Sequence, residues 1–321
     1  MEKELIFKGA VPETPLLSIV IPTYKNMRYL DGAIDSIIGQ SEKPFDYEII
    51  VTSNYTEADY RTQADKYAGA PVCFYKNSVN LGQVGNINKG MERARGKYVA
   101  YLHDDDLLLP NYFSSIAKYI MDNDEDYPCL MPSFYKLGEI YNPDLPHRFL
   151  SVFYWPRFIY RRELQKLKPE YFYKSIHNIY GPPTCGTVFL KKAVEEYGGF
   201  RDERGAAWDT YNFRMFNARY IIYRLHKYTG VYRVFSGMSN NADTKEAFKK
   251  ARQMIYDEEF YTDHPCFKKI RSTLDEGKPL WKFVILKAFT KSYYYLKNLD
   301  YFIGIPKPLF DIYSQIEDQQ K

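Results

Sequence analysis

Three consecutive aspartates, Asp104, Asp105 and Asp106, stand behind His103 at the end of a short apolar run, Tyr98 to Leu102, and Pro110 closes the stretch. Carboxylates this close repel one another unless a cation sits among them, and hard oxygen ligands suit Mg2+ or Mn2+. Such an ion takes one or two protein carboxylates and completes its shell from substrate phosphates, so the chemistry indicated is that of a metal-diphosphate site. The plain alternative is that Asp106 caps a helix starting near Pro110 while its neighbours face water. A second polar stretch, Asn80 to Gly90 (N-L-G-Q-V-G-N-I-N-K-G), reads as a loop turning into a helix over Met91 to Arg95. It is neither a Walker loop nor a dinucleotide fingerprint after the first strand, and by itself it does not announce phosphate binding.

The elements that must hold these residues alternate. Leu16 to Thr23 is a β-branched run ended by a proline loop, and Leu30, Ile34, Ile37 and Ile38 recur with helical spacing over Met27 to Gln40. Tyr47 to Thr52 predicts a second strand, Glu57 to Tyr67 a helix, Val72 to Tyr75 a third strand, and Tyr98 to Leu102 the strand before the aspartates. This alternation predicts a doubly wound α/β fold with a mainly parallel sheet, whose strand ends at Thr23, Ser53 and His103 face one crevice. From Phe134 to Tyr180 the pattern gives way to aromatic, basic and proline-containing sequence. It returns as a strand at Thr184 to Leu190, a helix at Lys191 to Tyr197, the turn Gly198-Gly199, a helix after Asp209, and a strand pair over Ile221 to Leu225 and Gly230 to Phe235.

Composition narrows the classes. The 44 Lys and Arg against 40 Asp and Glu give a net charge of +4, too mild to indicate nucleic acid. Cys73, Cys129, Cys185 and Cys266 form no CxxC pair, which excludes the common zinc spacings and fits a reducing cytoplasm. The first residues lack a signal-peptide core, and no apolar run is long enough to span a bilayer. The expectation is a cytoplasmic protein.

Together these stretches resemble the inverting glycosyltransferases of family 2, which have the GT-A fold. Ser18 to Tyr24 (S-I-V-I-P-T-Y) is similar to the family's opening strand, and Glu48 to Val51 before S-N-Y-T to its second. Asn80, Gly82, Asn88 and Gly90 match its N-x-G-x-x-x-x-x-N-x-G. His103 to Asp106 with Pro110 match its acidic turn, and Gly198-Gly199-Phe200 followed by Asp209 match the approach to its catalytic aspartate. The resemblance covers Leu16 to Gly237 and implies transfer of a sugar from a nucleotide-diphosphate donor to a saccharide or lipid-linked saccharide, as in bacterial surface polysaccharide synthesis. It implies Mn2+ or Mg2+ on Asp105 with Asp104, which also reaches the ribose. His103 joins them as a ligand or, the reading favoured, as a hydrogen-bonding group. It implies Asp209 as general base, Trp208 toward the acceptor, and the nucleotide along Pro22, Thr23, Tyr24, Ser53, Asn54, Asn80, Gly82, Asn86 and Asn88.

The sequence departs from the family at several points. Ser53 replaces an acidic residue that reads the base, Ile87 an arginine, His103 the first aspartate of the turn, Trp208 an acidic residue and Phe235 a histidine. Donor and acceptor identity stay open, with a UDP-sugar favoured; a non-catalytic binding module and a nucleotidyltransferase are the competing classes. The expected organisation is a nucleotide-sugar half (1–133), an acceptor half carrying the base (134–239) and a helical extension (240–321). In that extension, residues 280–302 either pack on protein, in the same chain or a homo-oligomer, or lie at a membrane surface.

Overall fold

The computed structural model describes residues 4–25, 27–122, 127–138, 170–172, 185–202, 205, 208–220 and 222–234. The expected helical extension (240–321), with its stretch 280–302 expected either to pack on protein or to lie at a membrane surface, and most of the aromatic region after Phe134 lie outside them.

In chain order the strands are β1 (Leu5–Lys8), β2 (Leu17–Thr23), β3 (Tyr47–Ser53), β4 (Val72–Lys76), β5 (Tyr98–Tyr101), β6 (Leu107–Leu108), β7 (Cys129–Gly138), β8 (Glu170–Phe172), β9 (Thr187–Leu190) and β10 (Ile222–Val234). The helices are α1 (Leu30–Ile38), α2 (Arg61–Lys66), α3 (Gly82–Arg93), α4 (Tyr112–Ile120), α5 (Lys191–Tyr197) and α6 (Trp208–Arg219). The described strands form one sheet in the order β1-β4-β3-β2-β5-β9-β7-β10-β6, with β8 against β10. β2 lies between β3 and β5 and runs parallel to both, whereas β9 is antiparallel to β5 and to β7.

Both faces of the central strands are buried, which is why they read as continuous apolar runs. Alternate residues serve different cores. Ile19, Ile49, Val51, Tyr98 and Ala100 pack with Leu30, Ile34, Ile37 and Phe113 on one face. Val20, Ile50, Val99 and Tyr101 pack with Ile87, Phe189, Trp208, Phe213 and Phe216 on the other. β7 straddles residue 133, so the sheet runs continuously through the boundary expected between the two halves.

Three local expectations change. Helix α3 begins at Gly82, so most of the stretch read as a loop is helical. Tertiary contacts override the low helix propensity of its glycines and asparagines. Gly90 has no side chain because a Cβ there would collide with Val20 Cγ1 and come within 3.0 Å of Thr52 Cγ2, and this close approach seats α3 on the sheet. The expected strand pair is one long strand, β10, with irregular register on either side of Tyr228. Asp106 does not cap α4: the residue before that helix is Asn111, without a side-chain cap bond. The short edge strands β1 and β6 carry too few residues for a periodic signal.

Candidate functional site

The carboxyl ends of the parallel strands form the crevice. Thr23 and Ser53 are register partners at the ends of β2 and β3, and Leu102 N–H donates to Val20 O at 3.1 Å, which carries the chain from β5 into the acidic turn. His103, Asp104 and Asp105 are partly exposed, and Asp106 is fully buried. The turn closes on itself through Asp106 N–H to His103 O at 3.2 Å.

The carboxyls differ by environment. Burial, then the neighbouring charge of Asp105, pushes Asp104 up to about 7. Burial raises Asp106 further, against the opposing backbone N–H of Arg233, which donates to Asp106 Oδ1 at 3.0 Å. Asp106 therefore ties the turn to β10. Burial also holds His103 below its ordinary range, favouring a neutral imidazole. A crowded set of partly desolvated oxygen donors with little opposing charge is what a hard divalent cation relieves, so the residues fit Mn2+ or Mg2+. Among the described residues no three His, Cys, Asp or Glu side chains converge into a cage, so the turn offers a partial ligand set that phosphate oxygens would complete.

Around the side expected to take a nucleotide, Pro22 is half-buried, Thr23 and Ser53 are buried, and Tyr24 stands 44 % exposed with its ring 6.3 Å from that of Tyr55. The asparagines are engaged with the protein. Asn86 Nδ2 donates to Thr23 O (3.1 Å) and Thr52 O (3.0 Å), while its Oδ1 accepts from Thr52 Oγ1 (3.0 Å) and Asn77 Nδ2 (2.9 Å). Asn54 Nδ2 donates to Gly82 O at 2.6 Å, and Asn80 Oδ1 accepts from Gly82 N–H at 3.0 Å. Asn88 holds Phe200 from both sides, Nδ2 to Phe200 O (2.8 Å) and Phe200 N–H to Oδ1 (2.9 Å). These side chains shape the crevice by fixing backbone.

That Phe200 clamp ties α3 to the chain segment that leads into α6. Gly199 takes a left-handed φ of 77°, and a Cβ there would meet Asn88 Oδ1 at 3.3 Å. Asn212 of α6, fully buried, repeats the device on the next residue: its Oδ1 accepts from Arg201 N–H (2.8 Å) and its Nδ2 donates to Arg201 O (2.8 Å) and Trp208 O (2.7 Å). Two amide clamps thus set the start of α6, where Asp209 lies half-buried in the first turn, within the helix and not as its cap. Trp208, expected toward the acceptor, is 2 % exposed, its indole 5.6 Å from the Phe200 ring and 6.1 Å from that of Tyr101. Tyr101 in turn sits 4.9 Å from the His103 ring, and its phenol is raised first by burial and then by Asp104, Asp106, Asp209 and Asp105. One tyrosine therefore lies in the field of both the acidic turn and Asp209.

Sequence reasoning did not single out Tyr101, Asn77, Arg93 or Asn212. Most of their partners are distant in the chain, Thr52 and Glu4 for Arg93 and Arg201 for Asn212 among them, and an asparagine three residues after Asp209 was the one local sign available.

The profile of Glycosyl transferase family 2 matches residues 18–198, more than half of the chain. The chain belongs to this family. An uncharacterized glycosyltransferase of Methanocaldococcus jannaschii is 34% identical over 129 residues, 40% of this chain and 44% of the relative. The GalNAc(5)-diNAcBac-PP-undecaprenol beta-1,3-glucosyltransferase of Campylobacter jejuni is 33% identical over 107 residues, 32% of this chain and 34% of the relative. The matches thus span less than half the length of these relatives. In fold the chain is similar to S. aureus TarS 1-349 in complex with UDP-GlcNAc (TM-score 0.56, 16% identity, 78% of this chain and 67% of that one). It is also similar to GalNAc-T7 with UDP, GalNAc and Mn2+ (TM-score 0.54, 12% identity, 77% and 49%). The fold is GT-A. Among the described residues no helix is long and apolar enough to cross a membrane.

Proposed function

We propose that the chain is a metal-dependent inverting glycosyltransferase that moves a sugar from a nucleotide-diphosphate donor, a UDP-sugar favoured, to a hydroxyl of a saccharide or lipid-linked saccharide in bacterial surface polysaccharide synthesis. The observation that carries this reading is the convergence on Tyr101: the acidic turn on one side and the Trp208-Asp209 helix start on the other. A site needs both, a place for a diphosphate and a carboxylate near it. The complexes of the fold neighbours with UDP-GlcNAc and with UDP and Mn2+, and the undecaprenol-linked substrate in the name of the Campylobacter relative, support the donor and acceptor classes.

Asp105, with Asp104, would hold Mn2+ or Mg2+, and His103 would orient the turn by hydrogen bonding. When bound, the ion supplies positive charge against the departing diphosphate. The nucleotide lies along Pro22, Thr23, Tyr24 and Ser53, on a floor kept rigid by Asn54, Asn86 and Asn88. Asp209 accepts the proton of the acceptor hydroxyl as that oxygen attacks the anomeric carbon from the face opposite the diphosphate. The carbon-oxygen bond to the diphosphate breaks in the same step, and the configuration inverts. The buried Trp208 backs Asp209 and keeps it near the turn.

Incubation with UDP-, GDP- and dTDP-sugars with and without Mn2+, followed by NMR assignment of the product's anomeric configuration, tests the reading. An inverted linkage formed only with metal is expected; a retained one would overturn the mechanism.

A further inference from the structure

We propose that Glu4, ahead of β1 and outside the residues matched to the family, is a positioning residue for the donor side of the crevice and acts through Arg93. The inference deepens the donor reading above and rests on it. Arg93 ends α3 with its side chain only 4 % exposed, its guanidinium 4.6 Å from the centre of the Tyr75 ring. It donates to Thr52 Oγ1 at 2.6 Å, to Asn77 Oδ1 at 2.8 Å and to Glu4 Oε2 at 2.7 Å.

A guanidinium can only donate, and this fixes direction through the whole network. Asn77 must turn its oxygen to Arg93, so its amide nitrogen faces outward, to Asn54 Oδ1 and Asn86 Oδ1, both at 2.9 Å. Asn86 then has its oxygen occupied, and its nitrogen reaches the carbonyls of Thr23 and Thr52. Asn54 likewise presents its nitrogen to Gly82 O at the start of α3. The polarity that Arg93 imposes therefore ends on the backbone of Thr23 and Gly82, the two sides of the donor crevice. Glu4 supplies the negative charge that lets the guanidinium stay buried in this orientation. Without it, a desolvated cation would be drawn toward water and away from Thr52 and Asn77. The core strands pack through apolar side chains that this chain of bonds does not include, so losing it loosens the crevice before the sheet.

The test uses the full chain and its Glu4→Ala and Glu4→Gln variants, with UDP and Mn2+ as the titration probe. Glu4→Ala is expected to weaken UDP on the order of tenfold, within the span by which residues off a ligand alter its affinity. Donor KM should rise with kcat unchanged. Amide exchange in the ligand-free chain should quicken over residues 52–55 and 77–83 and stay unchanged over 98–101 and 187–190. Glu4→Gln, which still accepts from Arg93 but leaves the buried guanidinium without its counter-charge, should recover only part of both. A lower melting temperature with parental UDP affinity and parental exchange would show a merely structural role and overturn the proposal. If the parent chain itself does not bind UDP, the donor reading fails, and the exchange pattern alone decides whether Glu4 holds Thr23.

Discussion

The two sides of the crevice are built on different principles. The side proposed to take the nucleotide, around β2, β3 and α3, is held by amide side chains whose donors and acceptors on Asn86 and Asn77 are all engaged. The Asp209 side is held by an aromatic pack, with Phe189 5.4 Å from Phe200, 5.6 Å from Phe213 and 5.5 Å from Phe216, and by two amide clamps at its edge. A saturated polar network fails as a unit, because removing one member strands several buried partners. Aromatic packing is graded: a smaller ring neighbour leaves a gap, and the rest adjusts. A crevice wall that is rigid by hydrogen bonding faces one that is tunable by packing.

The largest effect should come from the chemistry on the tunable side. Asp209→Asn keeps size and loses basicity, so transfer should fall by about 10^2 to 10^4-fold while nucleotide binding and melting temperature stay near parental. A turnover assay beside a UDP titration checks this; near-parental turnover would place the base elsewhere, with Asp202 and Glu203 next in line.

On the rigid side, Asn86→Ala takes one partner each from the Thr23 carbonyl, which keeps the Asn54 N–H, from the Thr52 carbonyl and hydroxyl and from the Asn77 amide, and should cost about 3 kcal/mol in urea unfolding, together with nucleotide affinity. Asp105→Ala should leave unfolding unchanged and weaken Mn2+-dependent UDP binding roughly tenfold or more, as read by titration with and without metal. The smallest effect belongs to packing: Phe213→Leu should cost about 1 kcal/mol and leave UDP affinity parental. If Phe213→Leu lowered UDP affinity as much as Asn86→Ala, the two sides would not be independent, and the contrast drawn between them would fall.

Much of this architecture was legible in the sequence because burial on both faces writes itself as apolar runs: Leu17 to Ile21, Glu48 to Val51 and Tyr98 to Tyr101 all became strands. Glycines at 198 and 199 marked a real left-handed turn. What stayed hidden depends on partners far along the chain. Asn80 to Gly90 reads as a loop by propensity, and nothing local reveals that Asn86 answers to Thr23 and Thr52, or Asn88 to Phe200. Glu48, in the family-like E-I-I-V, spends its carboxylate on Ser18 and Arg95 near the amino ends of the strands, a support the motif does not disclose. Trp208 is a further case: its place beside Asp209 is plain in the sequence, while its depth, set by Tyr101 and Phe200, is not. Asp106 looked like a helix cap because Pro110 follows it; its partner is the Arg233 backbone, on a strand that arrives much later.

The placement of β9 has a consequence for biosynthesis. It separates β5 from β7, although both precede it in the chain. Until Thr187 to Leu190 leave the ribosome, on the order of ten seconds after Tyr101 at ordinary elongation speeds, the strand that bears the acidic turn has β2 on one flank and an open edge on the other. A nascent chain stalled in that interval exposes Val99 and Tyr101 beside unpaired backbone, a template for sticking to its neighbours. The strand that ends this exposure also leads directly into α5 and the glycine turn, so the same late event that seals the sheet begins to bring Asp209 to its place.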